Sequence, residues 1–156
     1  MRPTRSWPLL VTSAVLAILT GVALSAWSAQ GHEFPALPWT APGVMTLMTI
    51  AVLVAGIPVR RWTRGTRTTP LDPLVAARTV VLAKAAQYTG SLLSGWYAGQ
   101  ALALVSTMDV QSRRSLLLRA VVSTLTACAV WVAGWVVERF CRVDRRGPKE
   151  PPDPTL

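Results

Sequence analysis

The chain has 156 residues, of which 51% are hydrophobic and 15% charged, with a mean hydropathy of +0.39; soluble domains carry about 25% charged residues. Lys and Arg total 16 against 7 Asp and Glu, a net charge of +9, but the cations stand between long apolar runs, which excludes a nucleic-acid footprint in favour of the basic bias of membrane-protein loops. Nothing outside those runs is long enough for a separate soluble core, so the expected fold is all-α, an integral membrane four-helix bundle over residues 1–146 with a disordered Pro-rich tail at 147–156.

The first predicted helix covers about 8–28. Arg2 and Arg5 precede it, Ser6 is a possible cap, and Leu9 to Trp27 is an apolar run of spanning length, for which roughly 20 residues suffice. A cleavable signal peptide shares the basic start, with small residues at Ala23 and Ser25 or Ala26 and Ser28 ahead of a cut, but its apolar core would be shorter. Ser28 to Pro38 reads as a loop from its Gly and Pro content. It holds His32 beside Glu33, too few ligands for a metal, which takes three or four.

The second helix is expected over about 40–59, with Thr40 as a cap and Pro42 in the first turn. Trp27 and Trp39 flank the preceding loop as interfacial aromatics do. A basic connector follows, carrying Arg60, Arg61, Arg64 and Arg67 with Trp62 among them.

Asp72-Pro73 starts the third helix, expected over 73–106: the carboxylate caps the first turn, and proline at the first position loses no hydrogen bond. This helix carries Arg78 one turn in and Lys84 further along. A lysine at the centre of a spanning helix costs about 2.5–3.5 kcal/mol on insertion scales, although from Lys84 a snorkelling stem could still reach the interface. Ser91, Gly95 and Gly99 recur at four-residue steps, with Gln87 and Tyr88 between them and Lys84; such a face lets helices approach closely, within the chain or against a partner. Acceptors for Lys84 are sought in the fourth helix, at its carbonyls, Thr124, Thr126 or Glu138.

The fourth helix is expected over about 115–140, after a loop running from Ser106 to Arg114. Arg119 interrupts it early. Cys128, Trp131, Trp135 and Glu138 form a stripe expected to pack on the small face of the third helix. Glu138 can pair with Arg78, or Arg78 can remain solvated. Cys128 and Cys141 are about 20 Å apart along a helix and cannot bridge within it. Arg139 and Arg142 continue the basic surface begun at Arg60.

No nucleophile–base set, metal cluster or cofactor ligand set is legible, so neither catalytic nor metal residues are assigned and no cofactor is expected. The candidates for a partner or ligand site are Arg78, Lys84, Gln87, Ser91, Gly95, Gly99 and Glu138; those for the membrane surface are Arg60, Arg61, Arg64, Arg67, Arg139 and Arg142. The implied partners are the lipid bilayer, anionic lipid head groups, and a membrane protein or a second copy of the chain. The positive-inside asymmetry puts both termini in the cytoplasm. The expected role is a non-enzymatic accessory or scaffold subunit; a small oligomeric transporter or channel for an anionic solute is the alternative.

The opening M-R-P-T-R, the L-P-W at 37–39, the D-P-L-V-A-A-R-T-V-V-L-A-K-A at 72–85 and the closing E-R-F-C-R-V at 138–143 resemble small actinobacterial membrane proteins catalogued as domain of unknown function 3180. Asp72, Pro73, Arg78, Lys84, Glu138, Arg139, Cys141 and Arg142 match that pattern. The resemblance implies four transmembrane helices in a bacterial plasma (inner) membrane and brings no known activity.

Overall fold

The computed structural model describes residues 6–32, 37–63, 73–105 and 111–140, and these form four α-helices: α1 (Ser6–Ala29), α2 (Thr40–Thr63), α3 (Pro73–Val105) and α4 (Gln111–Phe140). No strand occurs among the described residues. Asp72, Arg64, Arg67, Cys141, Arg142, the 106–110 connection and the tail lie outside them. Two helices are longer than their apolar runs suggest. The helix α4 begins at Gln111, so Arg113 and Arg114 are helical rather than in a loop, and α2 continues past Pro58 and its two basic residues to Thr63. Pro58 has no backbone N–H to give, but its neighbours keep their own helical hydrogen bonds and one missing bond does not end a helix.

Three helices, α1, α2 and α4, are long and apolar enough to cross a membrane. The longest, α3, contains Arg78, Lys84, Gln87 and Gln100 and is less apolar. Its placement accounts for this composition. The bundle is ordered α1–α3–α4–α2, with α3 clasped between α1 and α4 and α2 leaning lightly on α3. Gln87, Ser91, Ser94 and Gln100 are thereby buried in helix contacts and kept off the outer surface. The outer surface is an apolar belt that includes Ile18, Leu19, Val22, Leu47, Ile50, Val54 and Leu125.

Pairs of contacts fix the helix directions. Ser13 bonds Ser94, and Ala17 and Thr20 lie against Gly99, so α1 and α3 run parallel. Gly90 abuts Trp131 and Gly134 abuts Ala83 and Gln87, so α3 and α4 are antiparallel. Met45 meets Thr126 and Gly56 meets Val137, so α2 and α4 run parallel. The start of α1 and the end of α4 therefore share one end of the bundle. The main core joins Met45, Val52, Ala83, Ala86, Ala127, Val130, Ala133 and Val137, and a second cluster of Leu37, Leu104 and Ala120 closes the opposite end.

Hydroxyls in the apolar layers fold back on their own helices. Thr46, Thr49, Thr79, Thr124 and Thr126 each donate to the carbonyl four residues earlier. This local bond satisfies a polar group where no water is at hand.

Candidate functional site

The end of the bundle shared by the start of α1 and the end of α4 collects Arg60 and Arg61 of α2, Arg78 and Lys84 of α3 and Arg139 of α4. Two of these arginines are held by aromatic rings. The Arg60 guanidinium lies 5.0 Å from the centre of the Phe140 ring, and that of Arg139 lies 3.8 Å from Trp135. Such stacking fixes a cation in place without neutralising it. The other end carries Arg114 and Arg119.

Just inside the basic end, Gln87 is 1% exposed, and its Nε2 donates to Oε2 of Glu138 over 2.5 Å. This bond ties α3 to α4 and keeps a half-buried carboxylate supplied with a donor. Of the two alternatives for Arg78, a pair with Glu138 or a solvated side chain, the second is the one found. Arg78 is exposed and has no ion pair among the described residues. Six residues before Lys84, it points about a third of a turn away from it.

Lys84 is half-buried and has no hydrogen bond or ion pair among the described residues. The acceptors expected for it do not meet it: Thr124 and Thr126 donate to carbonyls of α4, and Glu138 accepts from Gln87. Ser91 and Gly95 lie about two and three turns beyond Lys84 on the same side of α3, and that side is the track of α1. Because Ser13 stands opposite Ser94 and the helices are parallel, Ser6 comes level with about Gln87 at a common rise of 1.5 Å per residue. The α3 segment from Pro73 to Gln87, about 20 Å long, extends past the first described residue of α1. Lys84 lies within it.

The small face is used inside the chain. A Cβ on Gly95 would fall 2.5 Å from the Ser13 carbonyl oxygen, and one on Gly99 would fall 2.6 Å from the Ala17 carbonyl oxygen. The neighbour that closes on this face is α1, not the aromatic stripe of α4. The stripe meets α3 along a different line, where the Trp131 backbone sits on Gly90 and Glu138 reaches Gln87. Cys128 is a half-buried free thiol.

Two contacts were not anticipated from the sequence. Ser13 Oγ and Ser94 Oγ lie 3.0 Å apart across α1 and α3; two serines in apolar runs carry no signal that they face each other. At the other end Arg119 donates to the Leu37 carbonyl over 3.1 Å and stacks on Trp39 at 5.4 Å. A lone arginine inside an apolar run, with an L-P-W corner elsewhere, was the available signal. The contact pins the α1–α2 connection onto α4 and occupies one of the cations that weakens the charge asymmetry.

Two shallow grooves open on the flanks. One, of about 320 Å³, lies between α2 and α3 and includes Met45, Met48, Leu93 and Tyr97. The other, of about 290 Å³, lies between α1 and α4 and is lined by Leu10, Trp131, Val132 and Trp135. His32 is exposed and packs on Trp27 with ring centres 4.6 Å apart. Among the described residues no three His, Cys, Asp or Glu side chains gather as a metal site.

A protein family described as protein of unknown function, DUF3180, matches residues 9–145. No curated protein and no solved structure matches the chain.

Proposed function

The chain belongs to the DUF3180 family, whose description names no activity, and from that premise we propose that it is a multi-pass plasma-membrane accessory subunit, without enzymatic activity, that binds a helix of another membrane protein along the inner half of α3. The observation that carries this reading is Lys84: a half-buried cation, without a counter-charge among the described residues, on the face that α1 covers only further along. A cation at that depth is costly against lipid and favourable against a neighbour that supplies acceptors. A partner helix continuing the line of α1 would meet Val81, Lys84 and Tyr88, and a carboxylate on it would complete the charge. The basic end, with Arg60, Arg61, Arg78 and Arg139, faces the cytoplasm in this reading, as the excess of cations there favours.

The test is a photo-crosslinking amino acid placed at Val81 or Tyr88, with exposed Ile18 of α1 as the control position, in native membranes. One discrete adduct with a different protein is expected from the α3 positions, absent from Ile18 and lost on Lys84→Leu. Adducts only with a second copy of this chain would transfer the reading to the oligomeric transporter for an anionic solute. Adducts that do not respond to Lys84→Leu would remove the role given to the lysine.

A further inference from the structure

We propose that the groove between α1 and α4 is a binding site for one anionic phospholipid, its phosphate on Arg139 and an acyl chain along Leu10, Trp131, Val132 and Trp135. The site lies on a different helix from Lys84 and does not depend on the partner reading.

The argument begins with Arg139, in the last turn of α4, whose guanidinium stands 3.8 Å from the Trp135 ring centre. Stacking uses the face of the guanidinium and leaves its in-plane N–H groups pointing outward. Those groups have no acceptor among the described residues, although the side chain is already held in place. A planar, immobilised fork of donors suits a phosphate, which it engages through paired charge-assisted bonds. The neighbouring carboxylate of Glu138 reaches the α3 side, where it accepts from Gln87.

The groove begins at the ring that holds this arginine. Trp135 is one turn deeper than Arg139 and Trp131 another turn deeper, so the lined stretch of α4 covers about 6 Å at 1.5 Å per residue and ends about 6 Å short of Arg139. Leu10 forms the opposite wall. At about 290 Å³ and almost wholly apolar, the groove is near the lower end of small-molecule sites, roughly 300–1,000 Å³. Its size and apolar lining suit a single chain of methylenes. Trp131, on one wall of the groove, keeps its indole Nε1 buried, with no hydrogen-bond partner among the described residues. A fixed cation at the mouth and an apolar channel behind it together match a phosphate-bearing amphiphile. The matching arginine of α2, Arg60 over Phe140, has no such groove behind it among the cavities described.

Native mass spectrometry of the intact chain in mild detergent, with phosphatidylglycerol or phosphatidylcholine added at equal concentration, tests the assignment. One phosphatidylglycerol should be retained per chain with at least tenfold preference over phosphatidylcholine. Arg139→Gln, at an exposed position, should abolish the preference, and Arg60→Gln should leave it intact. Leu10→Trp, which fills the groove, should lower retention of the lipid about tenfold with Arg139 in place; circular dichroism verifies that each variant remains helical. Equal retention of the two lipids, an equal loss in Arg60→Gln, or undiminished retention in a helical Leu10→Trp would each overturn the site.

Discussion

The bond between Gln87 and Glu138 shows how much depends on a single amide. Gln87 has almost no exposure, and its Nε2 is the donor seen on a carboxylate at the α3–α4 contact. Replacing it with leucine removes that donor while the carboxylate stays half-buried. Gln87→Leu is therefore expected to lower stability in detergent by about 1.5–3 kcal/mol, the usual worth of a hydrogen bond to a charged group, measured by denaturant titration of helical signal. Lys84→Leu should behave oppositely. It removes a cation with no partner among the described residues, so membrane insertion and intrinsic stability should be kept or improved. What should be lost is the cross-linked adduct at Tyr88. A loss of insertion in Lys84→Leu would instead assign the lysine to orienting the helix in the membrane.

At the level of the helices, the small face of α3 was legible in the sequence and its occupant was not. Ser91, Gly95 and Gly99 at four-residue steps announce that another backbone comes close. Any apolar helix can take that place, and α1 and α4 are both apolar, so spacing alone could not choose between them. The choice is visible only in contacts such as Ser13 with Ser94. Helix ends were less legible than helix existence, because apolar runs stop before the hydrogen bonds do; α4 begins at Gln111, ahead of two arginines that read as loop. In a background with Cys128 and Cys141 changed to serine, the pair Ser13→Cys and Ser94→Cys should form an intramolecular disulfide under mild oxidation, since their Oγ atoms are 3.0 Å apart. Adding Gly99→Leu should prevent it. A Cβ there already meets the Ala17 carbonyl oxygen at 2.6 Å, and overpacking of this kind costs about 1–3 kcal/mol. A disulfide that survives Gly99→Leu would mean that the helices can separate at one level and remain together at another.

Across the whole molecule, alternating helix directions gather Arg60, Arg61, Arg78, Lys84 and Arg139 at one end, while Arg119 at the other is committed to Leu37 and Trp39. The charge pattern alone predicts that this end is cytoplasmic; the helix directions explain why the cations end up together. In the cysteine-free background, Arg61→Cys should be protected from an impermeant thiol reagent in intact cells and Gly31→Cys should be labelled. The reverse result would invert the topology and move Arg139 and its groove to the outer face. The bundle order has one further consequence, for biogenesis. The first two helices to leave the ribosome are not neighbours: α1 lies on α3, and α2 lies mainly on α4. Each is apolar enough to wait alone in lipid. The polar α3, synthesised next, finds α1 already present for its serine and glycine side, while Gln87 stays without Glu138 until α4 is made. The order of the genetic message thus doubles as an assembly schedule, with the most lipid-averse helix emerging only after its first protector, and a chain halted before α4 would expose an unfinished polar seam for membrane proteases to recognise.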